Sequence, residues 1–186
     1  LAGVAVIRVS GSEARAAVFG LTGLSPPPRR LVRAVIAAKG AVLDEGLVVV
    51  FPGPASFTGE DVAEFHLHGG EAVVAAVLAA LARLPGLRPA AAGEFTRRVF
   101  FNGKLDLMEV EGLADLLAAR TEAQRLRALG QMQGGASAVI EGWRGDLIWA
   151  LARLEAAIDF SDEAHVADEA LAGVQARLAG LRQALA

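Results

Sequence analysis

The chain of 186 residues contains no cysteine, and only 5% of its residues are aromatic. Without thiols it can form no disulfide, no thiolate zinc site and no cysteine nucleophile, so a cytoplasmic location is the default expectation. Its 54% of hydrophobic residues comes from alanine and aliphatic side chains, which favour packed helices over an aromatic-rich β-sandwich. Because no uncharged apolar run reaches about 18 residues and no stretch has the pattern of a signal peptide, we expect no membrane attachment.

Lysine is almost absent too, and this scarcity tests for nucleotide sites. Only Lys39 and Lys104 are present, and they are followed by Gly40 and Leu105. A P-loop requires Gly-x-x-x-x-Gly-Lys followed by Ser or Thr, so neither lysine fits. The glycines near Val9 also lack the Gly-x-Gly-x-x-Gly spacing of dinucleotide sites. We therefore expect no nucleoside triphosphate chemistry in this chain.

The net charge of −3 argues against a surface made wholly for nucleic acid, because such surfaces usually carry clustered lysine and arginine. Two local basic clusters nevertheless occur, one formed by Arg29, Arg30 and Arg33, the other by Arg97, Arg98 and Lys104. A solvated face is the more usual explanation for the first cluster. The second lies inside a conspicuous polar block, so a solvated face and a site explain it equally well.

Strand and helix patterns alternate over about the first hundred residues, which predicts a domain of mixed α and β structure. The expected elements are strands at residues 4–9, 31–38, 42–51 and 62–68, and helices at 13–21 and 71–84. The first strand is expected to be buried and to lead into a helix N-cap at residues 10–12. The third is expected to be central in its sheet, after a turn at Lys39 and Gly40.

From residue 106 onward the pattern changes to three long helices, expected at about 106–133, 136–158 and 163–186. One buried stripe is predicted on the last helix, from Leu171, Val174, Leu178, Leu181 and Leu185. The middle helix carries an apolar stripe made of Trp143, Leu147, Leu151, Leu154 and Ile158. Ile148 and Trp149 point away from that stripe, which predicts packing against a further helix or subunit. The predicted fold class is α+β, a mixed α/β domain followed by a bundle of long helices.

Two polar, glycine-marked blocks interrupt this aliphatic background. The first reads SFTGEDVAEFHLHGG at residues 56–70, and the second reads GEFTRR at 93–98 and FNGKLDL at 101–107. Side chains of a strand alternate between its two faces, so Glu64, His66 and His68 should project together from one face of the sheet. Such a density of polar residues in two short runs predicts a binding site.

Two simple ligands are compatible with the first block. Glu64, His66 and His68 could bind a divalent metal, although three ligands without further support make a weak site. Gly69 and Gly70, at the start of a helix, could bind a phosphate or carboxylate through free N–H groups. Glycines that merely permit a tight turn explain that pair somewhat better, because an acidic residue follows in the first turn.

An organic ligand with N–H donors and negative charge suits residues of both blocks. Folate is such a ligand, because a carboxylate can accept its pterin N–H groups and cations can bind its glutamate tail. Glu64 and Lys104 supply these complements, and so does Arg8, a guanidinium in an otherwise apolar strand that needs a partner. Charge matching alone does not choose folate over other ligands of this kind.

Several strings, in order along nearly the whole chain, resemble the N-terminal half of the tRNA modification GTPases of the MnmE family, also called TrmE. They are VAVIRVSG at 4–11, FPGP at 51–54, SFTGED at 56–61, HGG at 68–70, GEFTRR at 93–98, NGKLDL at 102–107 and AAIDF at 156–160. Because several of these strings are unusual and their order is kept, the resemblance is highly specific.

The resemblance implies a folate-binding and dimerisation domain at residues 1–104, similar in fold to the tetrahydrofolate-binding aminomethyltransferases, and part of a helical domain at 105–186. It implies that Arg8, Glu64 and Lys104 bind a tetrahydrofolate derivative in its 5-formyl or methylene form. Glu64 is expected at the pterin edge, and Arg8 and Lys104 at carbonyl or carboxylate oxygens. We expect no catalytic residue and no metal ligand in this part of the protein.

Members of the family form homodimers, act with the flavoprotein MnmG and install aminomethyl or carboxymethylaminomethyl groups at carbon 5 of the wobble uridine in tRNA. The resemblance therefore implies that GTP, magnesium and potassium bind a GTP-binding domain beyond residue 186, followed by closing helices with a cysteine-bearing motif. The family usually has a strand and a Pro-Gly-x-Gly turn before Val4, and proline where this chain has Ala92.

Two alternatives remain open. One is a stand-alone folate-dependent aminomethyltransferase, which should lack the helical extension. The other is a non-catalytic dimerisation module that binds no folate.

Overall fold

The computed structural model describes residues 2–159 and 164–185, and the chain divides into two compact units, Leu1–Leu105 and Asp106–Ala186. The first unit contains β1 (Val4–Ser10), α1 (Ala14–Thr22), β2 (Val32–Ala38), β3 (Ala41–Phe51), β4 (Val62–His68), α2 (Glu71–Leu81) and α3 (Glu94–Phe101). The four strands form one antiparallel sheet in the order β1-β4-β3-β2. The predicted combination of a mixed α and β unit with a helical unit is confirmed.

The central position of β3 is also confirmed, because β2 and β4 pair with its two edges. The hairpin from β2 to β3 turns at Lys39 and Gly40, whose φ values of 51° and 78° both lie in the left-handed region. Two successive residues of this kind form the type I′ turn, whose twist matches that of antiparallel strands. The turn predicted from Lys39 and Gly40 is therefore confirmed.

One face of the sheet carries the core of this unit. Phe65, Ile36 and Val48 are fully buried there, against Val18 of α1 and Val77 of α2. The prediction that β1 is a buried strand is wrong: β1 is an edge strand, and Val4 and Val6 are 62% and 49% exposed. A continuous β-branched run is typical of a strand buried on both faces, but in β1 alternate side chains of the run are exposed.

Two boundaries in this unit differ from the prediction. The N-cap residue of α1 is Glu13, and no side chain caps that helix. The predicted cap at Ser10-Gly11-Ser12 is wrong, since Ser10 instead bonds to Thr58 and Glu60. Helix α2 ends at Leu81 rather than near residue 84, because the N–H groups of residues 83 and 84 bond to carbonyls three residues back in a tighter turn.

The second unit contains α4 (Leu107–Ala118), α5 (Glu122–Met132), α6 (Gly135–Asp159) and α7 (Ala164–Ala184). The single helix predicted at 106–133 is therefore wrong. The chain breaks before Thr121, which starts α5 through a capping box with Gln124, just as Asp106 starts α4 with Glu109. Reciprocal bonds of this kind satisfy N–H groups that a continuous helix would not leave free. The predicted first residue of the last helix, Glu163, lies outside the described residues.

Helices α6 and α7 pack against each other. Ala150 and Val174 are buried, and the Arg177 guanidinium lies 4.7 Å from the centre of the Trp149 ring. The packing predicted for Ile148 and Trp149 is confirmed for Trp149, which lies against α7, but Ile148 is 52% exposed. The stripe through Leu147 and Leu151 is exposed too. On α7, Val174 is buried, whereas Leu171, Leu178 and Leu185 stay partly exposed, so the predicted stripe is confirmed only in part. Within the described ranges, no helix is both long and apolar enough to cross a membrane.

Candidate functional site

Strand β4 presents two different faces, as its alternation predicts. Ala63, Phe65 and Leu67 point into the core and are at most 2% exposed. Glu64 and His66 lie on the opposite face, where the Glu64 side chain is 14% exposed and that of His66 is 28% exposed. The prediction that these polar side chains share one face is confirmed.

Glu64 holds the centre of this polar face. It lies directly opposite Arg8 in the register of β1 and β4. Its Oε1 accepts a hydrogen bond from Arg8 Nε at 2.9 Å and forms an ion pair with Arg8 Nη2 at 2.8 Å. Its Oε2 lies 3.1 Å from His66 Nε2. The partner that a guanidinium in this apolar strand requires is therefore Glu64, 56 residues away along the chain.

Two phenylalanines frame the Arg8 guanidinium. Phe57, in the β3–β4 loop (residues 52–61), lies 5.5 Å from Arg8 Cζ, and Phe95 of α3 lies 5.9 Å from it, each measured to the ring centre. A cation near aromatic faces is attracted by their quadrupoles, and the rings also restrict its side chain. Both residues lie in the predicted polar blocks, but their role was not predicted, because nothing local in the sequence links either ring to Arg8.

Lys104 also contacts the β3–β4 loop, at a different residue from Phe57. Its Nζ donates to the Pro54 carbonyl oxygen at 3.1 Å. The loop backbone passes close by at Gly59, where φ is 81° and a Cβ would lie 3.4 Å from Lys104 Cγ. Among the described residues, Lys104 has no hydrogen bond or ion pair with Arg8 or Glu64. The structure thus joins two of the three predicted residues directly and links Lys104 to the loop that carries Phe57.

A polar network anchors the β3–β4 loop. Ser10 donates to Glu60 Oε2 at 2.8 Å and shares a 2.6 Å hydrogen bond with Thr58, which is fully buried. Arg98 of α3 binds the same Glu60 oxygen at 2.8 Å, and Asn102 donates to the Thr58 carbonyl at 2.6 Å. The loop, β1 and α3 are therefore fixed to one another by satisfied polar groups, which makes the surroundings of Arg8 rigid.

Glu94, the first residue of α3, extends this network. Arg88 binds it with two parallel hydrogen bonds of 2.6 and 2.8 Å, Arg98 binds it at 2.9 Å, and the Ala91 N–H donates to it at 2.9 Å. The Arg88 guanidinium, the Ala91 N–H group and the Arg98 guanidinium hold the pKa of the Glu94 carboxyl well below its usual value. The carboxylate is therefore the form that the fold requires.

Glu94→Gln should lower the stability of the chain at neutral pH and flatten its acid dependence. A carboxyl whose pKa is depressed in the folded state stabilises the fold above its usual pKa of 4.5, and that contribution is lost as the pH falls below it. Urea unfolding between pH 7 and pH 3 should show the largest difference from wild type at pH 7.

Glu122→Gln is the control, because Glu122 pairs with a single arginine, the exposed Arg125, in the part of the chain that the structure describes. Equal losses for the two variants at pH 7 would contradict a special role for Glu94.

Two clefts adjoin this ion-pair network. One of about 230 Å³ is lined by Arg8 and Phe95 and by apolar side chains that include Leu78, Leu81 and Leu87. The other, of about 480 Å³, is lined by Glu60, Arg97, Phe101 and Asn102. Arg88, Glu94 and Arg98 line both clefts. Neither Glu64 nor Lys104 lines these two clefts; the first cleft reaches the candidate site at Arg8 and Phe95.

The histidines and glycines that suggested a metal or an anion in the first block have structural roles in the fold. His66 contacts Glu64, whereas His68 bonds to Asp44 through Nδ1 at 2.8 Å. Over the part of the chain that the structure describes, no three acidic or histidine side chains are grouped to hold a metal ion. At Gly69 a Cβ would lie 1.9 Å from the Ala2 carbonyl oxygen, so this position requires glycine for a close backbone approach.

Two family models match the chain, one over each of its two units. A family model described as "GTP-binding protein TrmE N-terminus" matches residues 1–104, and one described as "MnmE helical domain" matches residues 107–186. Together they cover almost the whole chain. The chain therefore belongs to the TrmE/MnmE family, which confirms the resemblance found in its motifs.

Individual relatives are similar over nearly all of this chain. The chain is 58% identical to the tRNA modification GTPase MnmE of Azorhizobium caulinodans, over 96% of this chain and 42% of that protein. It is 51% identical to the protein of the same name from Rhodopseudomonas palustris, over 98% and 42%. It is 56% identical to the mitochondrial 5-taurinomethyluridine-[tRNA] synthase subunit GTPB3 of Danio rerio, over 91% and 34%. The chain thus spans less than half the length of these relatives.

Proposed function

We propose that this chain is the folate-binding and dimerising N-terminal portion of a GTPase that modifies carbon 5 of the wobble uridine in tRNA, together with the flavoprotein MnmG. Membership of the family supports the tRNA modification role. The observation that carries the folate proposal is the contact between Arg8 and Glu64 on a partly buried face, framed by Phe57 and Phe95.

The chemistry of these side chains suits a folate. Glu64 offers carboxylate oxygens to N–H donors of a pterin, and Arg8 and Lys104 offer donors to carbonyl or carboxylate oxygens. Lys104 donates to a neutral backbone carbonyl and has no carboxylate partner among the described side chains, so a carboxylate is a stronger partner for it. When bound, a tetrahydrofolate derivative in its 5-formyl or methylene form would supply the one-carbon unit.

Glu64 has little free acceptor capacity, and this decides how a ligand can use it. A carboxylate has about four lone-pair sites. Arg8 Nε donates to Oε1, Arg8 Nη2 lies 2.8 Å from the same oxygen, and His66 Nε2 lies 3.1 Å from Oε2, so both oxygens already have partners. A ligand that donates two N–H groups therefore has to displace part of the Arg8 or His66 contact. Displacement from Glu64 would also release Arg8 donors for oxygen atoms of the ligand.

The remaining functions are proposed for the whole protein. GTP hydrolysis, with its magnesium and potassium, is assigned to a GTP-binding domain outside residues 1–186. The chain is proposed to act in the cytoplasm as a homodimer with tRNA as its substrate, in line with its cysteine-free composition and its family.

Calorimetric titration with 5-formyltetrahydrofolate tests the proposal. Wild type should bind, and Glu64→Ala should bind about 10- to 100-fold more weakly, because hydrogen bonds to a charged group are lost. Glu45→Ala is a matched control: Glu45 also pairs with an arginine, Arg33, but lies on the exposed part of β3. Urea unfolding should show that all three proteins are folded.

Unchanged affinity of Glu64→Ala would refute the Glu64 assignment. Absence of binding by folded wild type would favour the non-catalytic dimerisation module. One-carbon transfer by the chain alone would favour the stand-alone aminomethyltransferase.

A further inference from the structure

The two basic clusters of the sequence meet at the β3–β4 loop. Lys104 Nζ donates to the Pro54 carbonyl oxygen at 3.1 Å, and Arg29 Nη2 donates to the carbonyl oxygen of the next residue, Ala55. Consecutive Cα atoms are about 3.8 Å apart, so the two cations bind neighbouring points of one backbone segment. Arg29 belongs to the first basic cluster, for which a solvated face was the more usual explanation. In the structure its guanidinium is instead bonded to the β3–β4 loop.

The partners that the structure gives both cations are neutral. Among the residues whose side chains are described, neither cation has a carboxylate within ion-pair distance, whereas Arg15, Arg88 and Arg98 each have one. The two acidic residues of the loop are engaged elsewhere, because Glu60 binds Arg98 and Asp61 binds Arg15 at 2.9 Å and accepts from the Gly53 N–H at 2.8 Å. The loop therefore presents two positive charges that its own acids do not neutralise.

The backbone around Arg29 holds it in place. Its φ is 60°, in the left-handed region that few non-glycine residues adopt. Its N–H donates to the Val50 carbonyl at 2.8 Å, and its guanidinium lies 5.9 Å from the centre of the Phe51 ring. An exposed arginine with a fixed backbone, an aromatic neighbour and a carbonyl partner has lost part of its freedom before any ligand binds.

We propose that Arg29 and Lys104 together bind the γ-linked glutamates of a folate tail, so that the site prefers polyglutamylated folates. The inference rests on the proposed folate function, in which Lys104 binds carbonyl or carboxylate oxygens. Each additional glutamate adds one carboxylate. Arg29, bonded to the residue next to the one that Lys104 contacts, gives that carboxylate a charged partner in place of water. To bind it, Arg29 gives up a hydrogen bond to a neutral carbonyl oxygen, which is a weaker partner than a carboxylate.

The phosphate backbone of RNA is the less suitable occupant. Stable binding of nucleic acid usually neutralises several phosphates with lysine and arginine. The net charge of this chain is −3, and Arg98 of the second cluster is already paired with two carboxylates, those of Glu60 and Glu94. Two cations on one loop match a short chain of carboxylates better than a polyanion.

Competition calorimetry with the monoglutamate and triglutamate forms of 5-formyltetrahydrofolate tests the inference. Wild type should bind the triglutamate about three- to tenfold more tightly, with a preference that shrinks in high salt, because the contacts are exposed ion pairs. Arg29→Ala should bind the monoglutamate and the triglutamate with equal affinity, so that the preference is lost. Arg30→Ala is the matched control, because Arg30 is the exposed neighbour in sequence, and it should keep the preference.

The outcomes separate this inference from the proposed function. Equal binding of the two forms by wild type, or a preference retained by Arg29→Ala, overturns the glutamate-tail site while folate binding stands. Failure of wild type to bind either form overturns both. An RNA hairpin that binds wild type but not Arg29→Ala, with the glutamate preference unaffected, would assign the two cations to phosphates instead.

Discussion

Gly46→Ala is expected to destabilise the N-terminal unit by roughly 2–3 kcal/mol, at the upper end of the usual cost of overpacking. Gly46 lies in β3, and a Cβ at this position would lie 2.3 Å from the carbonyl oxygen of His66 in β4. Because that atom belongs to the backbone, no side-chain rotation can relieve the contact. The two strands would have to separate where Leu47 pairs with His66, two residues along the ladder from the pair of Val49 with Glu64.

This displacement should reach the candidate site as well. Glu64 and His66 share one face of β4, so a shift of that strand changes the contact of Glu64 with Arg8 and that of His66 with Glu64. We expect Gly46→Ala to show a lower urea midpoint and weaker binding of 5-formyltetrahydrofolate.

Gly3→Ala is the control, because an added Cβ at Gly3 meets no atom within 4 Å. Its stability should change by less than about 0.5 kcal/mol. Wild-type stability for Gly46→Ala would show that β3 and β4 do not approach this closely.

Gly112→Ala is expected to destabilise the helical unit, although alanine is a better helix former than glycine. A Cβ on Gly112 of α4 would lie 2.6 Å from the backbone nitrogen of Met132 and 3.0 Å from the carbonyl carbon of Gln131, both in α5. Overpacking of this kind costs about 1–3 kcal/mol, whereas the gain in helix propensity is at most about 1 kcal/mol. The net effect should be a loss of roughly 1–2 kcal/mol, measured by thermal unfolding.

Gly130→Ala in α5 should have the opposite sign. An added Cβ at Gly130 meets no atom within 4 Å, so only the propensity gain of about 0.5–1 kcal/mol remains. A difference in sign between two glycine-to-alanine changes on neighbouring helices would demonstrate the close crossing of α4 and α5. Stabilisation by both changes would contradict it.

The polar face of β4 could be predicted from the sequence, because strand geometry alone places Glu64 and His66 on the same side. The need of Arg8 for a partner could also be predicted, from its place in an apolar run. That the partner is Glu64 follows only from the pairing of β1 with β4, a contact between residues 56 positions apart. Phe57 and Phe95 were missed for the same reason, since both reach Arg8 from segments outside the sheet.

The ends of helices and the burial of strands were predicted less well, because local sequence patterns there allow more than one structure. The helical pattern of residues 106–133 continues across the break, although Thr121 and Gln124 have the spacing of a capping box. Short helix α3 was not predicted, because its residues are mostly polar or aromatic and give no apolar stripe of useful length. The exposure of β1 depends on what packs against the sheet, which the composition of the strand does not specify.

The ion-pair network of Arg88, Glu94, Arg98 and Glu60 also limits which substitutions the sequence can accept during evolution. Loss of Glu94 alone would leave Arg88 without its carboxylate and Arg98 with only Glu60. Removing one partner of a satisfied pair costs more than replacing both, so single changes within the network should be selected against while paired changes persist. In an alignment of the family, these positions should therefore vary together rather than one at a time.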